Sequence, residues 1–144
     1  MEPPLVVLDT NVFVAAGFNP RSSSAALVGL VRAGRLCLAW DEATRAETRH
    51  VLDRIPPLGW AAVTALFEAG RRFEAMAGQH GFAEIGDPSD RKFAALAQRA
   101  DAPLISSDSD LLSVRHLLQV RIHSPSEGLD LFAALLDPAR PDDR

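Results

Sequence analysis

The sequence predicts an α/β domain with three layers, α/β/α, built on a mostly parallel central sheet of about five short strands. Three observations predict it. The chain opens on Leu5-Val6-Val7-Leu8, an apolar run without polar alternation, as in a strand buried on both faces. Further short apolar runs follow, each separated from the next by helical periodicity. Strands alternating with helices imply parallel pairing, with helices on both sides of the sheet. The length, 144 residues, suits one domain, which buries roughly 68–70% of its unfolded surface and needs no cross-links.

Taken in order, strand Leu5 to Leu8 leads to a short helical turn from Asn11 to Ala16, broken by Gly17-Phe18-Asn19-Pro20. Ser22-Ser23-Ser24 supplies N-caps for a helix from Ala25 to Ala33 that stops at Gly34. Leu36 to Trp40 is the second strand. Asp41 caps a long helix running toward Ile55, ended by Pro56-Pro57. A second long helix is expected from Leu58 to Gln79, with the stripe Trp60, Val63, Phe67, Gly70, Phe73 and Ala77. Phe82 to Ile85 reads as a short strand. Asp87-Pro88-Ser89-Asp90 opens a helix that continues through Arg99, with Pro88 near its first position. Pro103 to Ser106 is a buried strand, followed by a short helix around Leu111 to Val114. Val120 to His123 is the last strand and Ser126 to Leu136 the closing helix. Residues 1–136 thus form a single domain. Asp137 to Arg144 is a polar, Pro-containing tail, expected to be disordered.

Composition removes several classes of function. The formal charge of −4 argues against a broad basic nucleic-acid clamp, though a local one remains open. The single cysteine, Cys37, excludes an internal disulfide and a cysteine-based metal site; it reads as a small buried hydrophobe. No apolar run approaches the roughly 18 residues of a membrane span, and Glu2-Pro3-Pro4 lacks a basic leader region. A cytoplasmic protein is expected. Neither Gly-x-Gly-x-x-Gly nor a Gly-Lys-Ser/Thr loop occurs, which leaves no nucleotide-cradling signature. His50, His80, His116 and His123 have no metal-ligand spacing.

The carboxylates carry the chemistry. The first strand runs straight into Asp9, and Pro103 to Ser106 runs into Asp108, with Asp110 two residues later. Ligands of open α/β sheets bind at the carboxyl ends of strands. Glu47 precedes Val51 by four and Ile55 by eight, at the edge of its helix's apolar stripe. Asp90 precedes Phe93 by three and Ala97 by seven, on the buried side of its helix. Each acid has a bland role open to it: Asp9 as a helix cap, Glu47 as a partner of Arg45 or Arg49, Asp90 as part of a local cap with Asp87, Asp108 and Asp110 as turn residues. Together they point elsewhere. Converging carboxylates repel unless a cation neutralises them, and hard oxygen ligands without Cys or His suit Mg²⁺ or Mn²⁺. Such a site is a usual means of activating water against a phosphodiester.

Four motifs, Val7-Leu8-Asp9-Thr10-Asn11-Val12, Glu47-Thr48-Arg49-His50-Val51-Leu52, Asp87-Pro88-Ser89-Asp90-Arg91-Lys92-Phe93 and Ser106-Ser107-Asp108-Ser109-Asp110-Leu111-Leu112, follow one another in this order. In this the chain resembles the PIN-domain family of metal-dependent nucleases, from Leu5 to about Leu136. The resemblance implies catalytic and metal-binding roles for Asp9, Glu47, Asp90 and Asp108, with Asp110 as an accessory metal ligand. Thr10 or Asn11 matches the family's polar residue near the first acid. Where many members have Thr or Gly before the fourth acid, this chain has Ser106 and Ser107, and the resemblance implies that Ser107, like Thr10 and Asn11, orients ligands or substrate. The implied activity is an Mg²⁺- or Mn²⁺-dependent endoribonuclease acting on single-stranded RNA, often the toxin of a bacterial toxin–antitoxin pair, with an antitoxin protein as partner.

Two other classes stay open on the residues themselves. A strand ending in Asp also begins phosphoaspartyl hydrolases and receiver domains, which need a lysine; the only one here is Lys92. A non-catalytic RNA-binding or protein-interaction domain could use the same fold. Two further expectations concern surfaces. Arg21, beside the start of the helix at Ser22, is a candidate phosphate contact. The helix from Leu58 to Gln79, with Trp60, Leu66, Phe67, Phe73 and Met76, is a candidate homodimer face.

Overall fold

The computed structural model describes residues 2–74 and 81–136. Five strands form one sheet, all parallel: β1 (Leu5–Leu8), β2 (Cys37–Trp40), β3 (Arg71–Arg72), β4 (Leu104–Ile105) and β5 (Ile122–His123), in the order β3-β2-β1-β4-β5. The helices among the described residues are α1 (Thr10–Phe18), α2 (Ser23–Arg32), α3 (Glu42–Asp53), α4 (Thr64–Glu68), α5 (Arg91–Ala100), α6 (Ser109–Leu112) and α7 (Pro125–Leu131). The order of strands reverses direction at β1. From there the chain moves outward to β2 and β3, then returns across to β4 and β5, so β1 and β4 flank the crevice where such sheets bind ligands.

Strand alternation sends side chains to opposite faces and builds two cores. Val6, Leu8 and Ile105 pack with Val12, Phe13, Leu27, Leu52 and Phe67 on one face. Val7, Leu104 and Ile122 pack with Ile85, Phe93, Leu96 and Leu111 on the other. These two cores make the three layers that the sequence implies. α5 is amphipathic in the expected sense, burying Phe93, Ala94, Leu96, Ala97 and Ala100. The caps also follow the residues. Ser22 Oγ accepts the Ala25 N–H at 3.0 Å, and Asp41 and Thr44 form a reciprocal capping box on α3. The second Asp41 oxygen takes Arg99 Nη2 at 2.5 Å, a buried ion pair joining α3 to α5.

Several elements differ from the expected ones. α1 extends from Thr10 to Phe18 rather than from Asn11 to Ala16, because the helical bonds continue until the Asn19 N–H bonds Ala15 O. The expected helix from Leu58 to Gln79 is not continuous. Gly59, at φ +155°, opens a 3₁₀ turn at Trp60–Ala62, and α4 ends at Glu68. At Gly70 the chain lies so close to β2 that a Cβ would stand 2.3 Å from Leu38 O. It then joins the sheet, pairing Arg71 with Ala39 and Arg72 with Trp40. The unpaired edge of β2 thus outcompetes further helix, and two exposed arginines at the new edge discourage further pairing. Trp60, Leu66 and Phe67, which suggested a dimer face, are buried within the chain; the Trp60 and Phe67 rings meet at a tilt of 49° with centroids 4.8 Å apart. Met76, Ala77 and Gln79, and the expected tail from Asp137 to Arg144, lie outside the described residues.

The expected strand from Phe82 to Ile85 is a turn. Phe82 takes φ +64° and its carbonyl accepts the Ile85 N–H at 2.9 Å. Ile85 is fully buried as a core plug, and its own carbonyl accepts two bonds from Arg91. Five strands are present among the described residues, but the one expected here is supplied by Arg71–Arg72 instead. The closing helix ends at Leu131, followed by a 3₁₀ turn at Ala133–Leu135. Cys37 is half-buried rather than buried. No helix among the described residues is long and apolar enough to cross a membrane.

The close approach at Gly70 is testable. A Gly70→Ala variant must push β3 away from β2, which is expected to cost about 1–3 kcal/mol in chemical denaturation. A Gly29→Ala variant, where an added Cβ meets nothing within 4 Å, serves as the control and should not destabilise.

Candidate metal centre

Asp9 follows β1 directly. Its backbone N–H donates to Ile105 O at 3.0 Å, so the β1–β4 ladder fixes where the residue sits. It occupies the N-cap position of α1, yet its side chain makes no capping bond. Asp9 Oδ2 instead accepts the Ser106 hydroxyl at 2.6 Å, and the residue is only 3% exposed. Ser106, itself fully buried, also accepts the Asp108 N–H at 3.0 Å. One serine thereby sets the spacing of two acids that are 99 residues apart in sequence.

Asp90 arrives from the other direction, where a 3₁₀ turn at Pro88–Asp90 leads into α5. The local cap is made by Asp87, which accepts both the N–H and the hydroxyl of Ser89. Asp90 makes no capping bond and is buried. Its Oδ2 is a buried oxygen without a hydrogen-bond partner. A carboxylate oxygen in that condition is costly unless something positive faces it. Asp108 does cap α6, accepting the Asp110 N–H at 2.8 Å, and remains half-buried beside Asp90. One oxygen each from Asp9, Asp90 and Asp108 lies within 4.8 Å of the others.

This crowding shows in the proton affinities. Burial is the largest cause holding the Asp90 carboxyl up at about 7, reinforced by the hydrogen bond and charge of Asp108, then by the charge of Asp9. Burial also raises Asp9, opposed by the Ser106 hydroxyl and the Thr10 N–H, with Asp108 and Glu47 adding like charge. Three carboxylates in this volume cannot all ionise without a cation. The donor set is all oxygen, with no Cys or His, and fits a hard divalent ion such as Mg²⁺ or Mn²⁺.

The remaining predicted residues fall into place unevenly. Glu47 is not in the three-oxygen group; its Oε1 takes Lys92 Nζ at 2.5 Å. Neither neighbouring arginine holds it, since Arg45 lies over Trp40 and Trp60 and Arg49 pairs with Asp53. Asp110 is exposed and outside the group, reaching Asp108 only through its backbone. Thr10 is buried and bonds Thr48 hydroxyl to hydroxyl at 2.9 Å, tying α1 to α3 beside the acids. Asn11 and Ser107 are exposed next to them. Arg21 is exposed at the far end of α1, roughly 13 Å along the helix from Asp9, and its N–H serves a local turn at Asn19. The structure does not bring it to the acids.

The model of the PIN domain family matches residues 5–109. The chain belongs to the PIN-domain family. Comparison with curated proteins finds no match. PIN domains are generally metal-dependent nucleases, and the buried acidic group of this PIN domain fits metal binding. Two PIN-domain residues escaped the sequence reading: Ser106, where Ser107 was expected to act, and Thr48. Ser106 ends a wholly buried run and Thr48 follows Glu47, but only the packed structure shows which hydroxyls turn toward the acids.

The raised carboxyls predict how stability responds to pH. The folded state keeps a proton on Asp90 that an unfolded chain releases at its ordinary value of 3.8. This contribution is therefore largest below 3.8 and is lost as pH rises to about 7. Denaturation of the metal-free protein, compared with Asp90→Asn over this range, should show the parent losing stability relative to the variant. Saturating Mg²⁺ should remove the difference in slope and release protons on binding.

Proposed function

We propose that this PIN domain is an endoribonuclease that hydrolyses single-stranded RNA with Mg²⁺ or Mn²⁺ as cofactor. The observation that carries the reading is the convergence of Asp9, Asp90 and Asp108 within 4.8 Å at the carboxyl end of a parallel sheet, with a buried Asp90 oxygen left without a hydrogen-bond partner. Asp9, Asp90 and Asp108 would hold the cation. A divalent ion there supplies the charge that acidifies a water molecule and offsets the developing charge on a scissile phosphate.

The chain's own residues do the rest. Ser106 holds Asp9 and Asp108 at a set distance, so the site is organised before substrate arrives. Asp90 gives up the proton it retains near neutrality when positive charge replaces it. The Thr10–Thr48 bond keeps α1 and α3 together at the rim. Asn11 and Ser107, exposed beside the acids, offer amide and hydroxyl groups to the RNA backbone. In-line attack by water leaves a 5′-phosphate and a 3′-hydroxyl. With a formal charge of −4, grip on RNA is local rather than spread over a basic face.

The physiological setting we attach to this activity is that of a cytoplasmic toxin with an antitoxin protein as partner, supported by the family resemblance; the homodimer expected from the Leu58 to Gln79 helix loses its apolar face, because Trp60, Leu66 and Phe67 are buried within the chain. The phosphoaspartyl alternative loses its essential lysine, because the Lys92 ammonium is held by Glu47 rather than standing free beside Asp9. A pure binder of anionic RNA gains nothing from crowded carboxylates.

Cleavage of single-stranded RNA should require Mg²⁺ or Mn²⁺ and stop on chelation. Asp9→Asn and Asp108→Asn are each expected to lower the rate by about a hundredfold or more. Asp9→Asn should keep or gain stability in the metal-free state, since it removes like charge. Cleavage that survives chelation and both substitutions, or 2′,3′-cyclic phosphate ends, would refute the mechanism.

A further inference from the structure

We propose that Lys92 divides the four acids into a three-aspartate cation site and a separately neutralised Glu47, and so keeps Glu47 out of the cation's coordination shell. This rests on the cation-binding reading of Asp9, Asp90 and Asp108. Lys92 lies in the first turn of α5, two residues after Asp90. Its ammonium sits 2.5 Å from Glu47 Oε1, and the two side chains are 30% and 23% exposed. A charge-assisted bond between half-buried groups is among the stronger side-chain contacts. Glu47 cannot swing inward without leaving that ammonium unpaired.

The placement of Glu47 is fixed from behind as well. Thr48, its neighbour on α3, is buried and bonded to Thr10, which follows Asp9. Glu47 therefore stays near enough to Asp9 for its charge to be felt there, yet outside the group whose oxygens converge within 4.8 Å. Lys92 is the single lysine among fifteen basic residues. An ammonium is a compact point charge, suited to cancelling one carboxylate without bridging to the aspartates as a guanidinium fork would. With Glu47 engaged by Lys92, a divalent ion is offered three carboxylate ligands instead of four. Lys92 is in this sense a positioning residue: it acts through Glu47.

The test is Mn²⁺ affinity of the full chain, read by electron paramagnetic resonance. The set is the parent, Glu47→Gln, Lys92→Met, the double variant and Asp9→Asn, each checked for fold by circular dichroism. Asp9→Asn should lose binding. Glu47→Gln should stay within about threefold of the parent, and Lys92→Met should bind on the order of tenfold more tightly, because a freed carboxylate joins the site. The double variant should fall back to the level of Glu47→Gln. Lys92→Gln replaces Lys92→Met if the latter does not fold.

Glu47→Gln weakening Mn²⁺ as severely as Asp9→Asn would overturn the proposal, since Glu47 would then be a ligand. Unchanged or weaker binding by Lys92→Met would overturn it too. So would tightening that persists in the double variant, which would trace the effect to lysine charge alone. A parent that binds no Mn²⁺ would defeat the cation reading itself, and this proposal with it.

Discussion

Like-charge repulsion among Asp9, Asp90 and Asp108 is the constraint on which the rest of this structure depends. Parallel pairing of β1 with β4 makes it unavoidable: the two strands end together, and each runs into an aspartate. The switch in strand order at β1 opens the crevice above them. The 3₁₀ turn that leads into α5 then brings a third carboxylate into the same space. Such an arrangement opposes folding, and the Asp90 carboxyl is raised to about 7, first by burial and then by the hydrogen bond and charge of Asp108 and the charge of Asp9. A chain keeps this kind of strain where a ligand of opposite charge resolves it.

The scaffold answers the repulsion with contacts of specific chemistry. The Ser106 hydroxyl donates to one aspartate while its oxygen accepts from the backbone of another, so neither can drift. Asp87 takes over the capping of the turn before α5 and leaves Asp90 free of local duty. Lys92 pairs with Glu47 at the rim and Arg99 pairs with Asp41, so two further acids each have a cationic partner of their own. Both pairs link α3 to α5, which holds the two helices at fixed positions around the site. The apolar layers do the bulk stabilisation; the polar contacts decide where the carboxylates point.

Particular residues show why parts of the molecule were legible and others were not. The run Leu5 to Leu8 reads as a buried strand and Asp41 as the cap of the helix that follows; both are local patterns with local causes. The stripe Trp60, Val63, Phe67 has true helical spacing and is buried as a helix would bury it, but the helix stops because β2 offers an edge and Gly70 permits the approach. Ile85 reads as strand by composition and serves instead as a plug beneath α5. In each case a long-range partner, invisible in a window of sequence, outweighed a local preference.

By itself the sequence determined the layered α/β class, the order of most elements and the acids that end buried strands, because burial and periodicity are written in the chain residue by residue. Tertiary structure alone decided which acids meet. Asp9, Asp90 and Asp108 converge, whereas Glu47 is claimed by Lys92 and Asp110 stays in solvent. It also chose Ser106 over Ser107: just beyond β4 the Ser106 hydroxyl is buried against Asp9 while Ser107 is exposed. The physical reason is common to both: a carboxylate's partners come from strands and helices up to a hundred residues away, and their positions exist only once the sheet has closed its register.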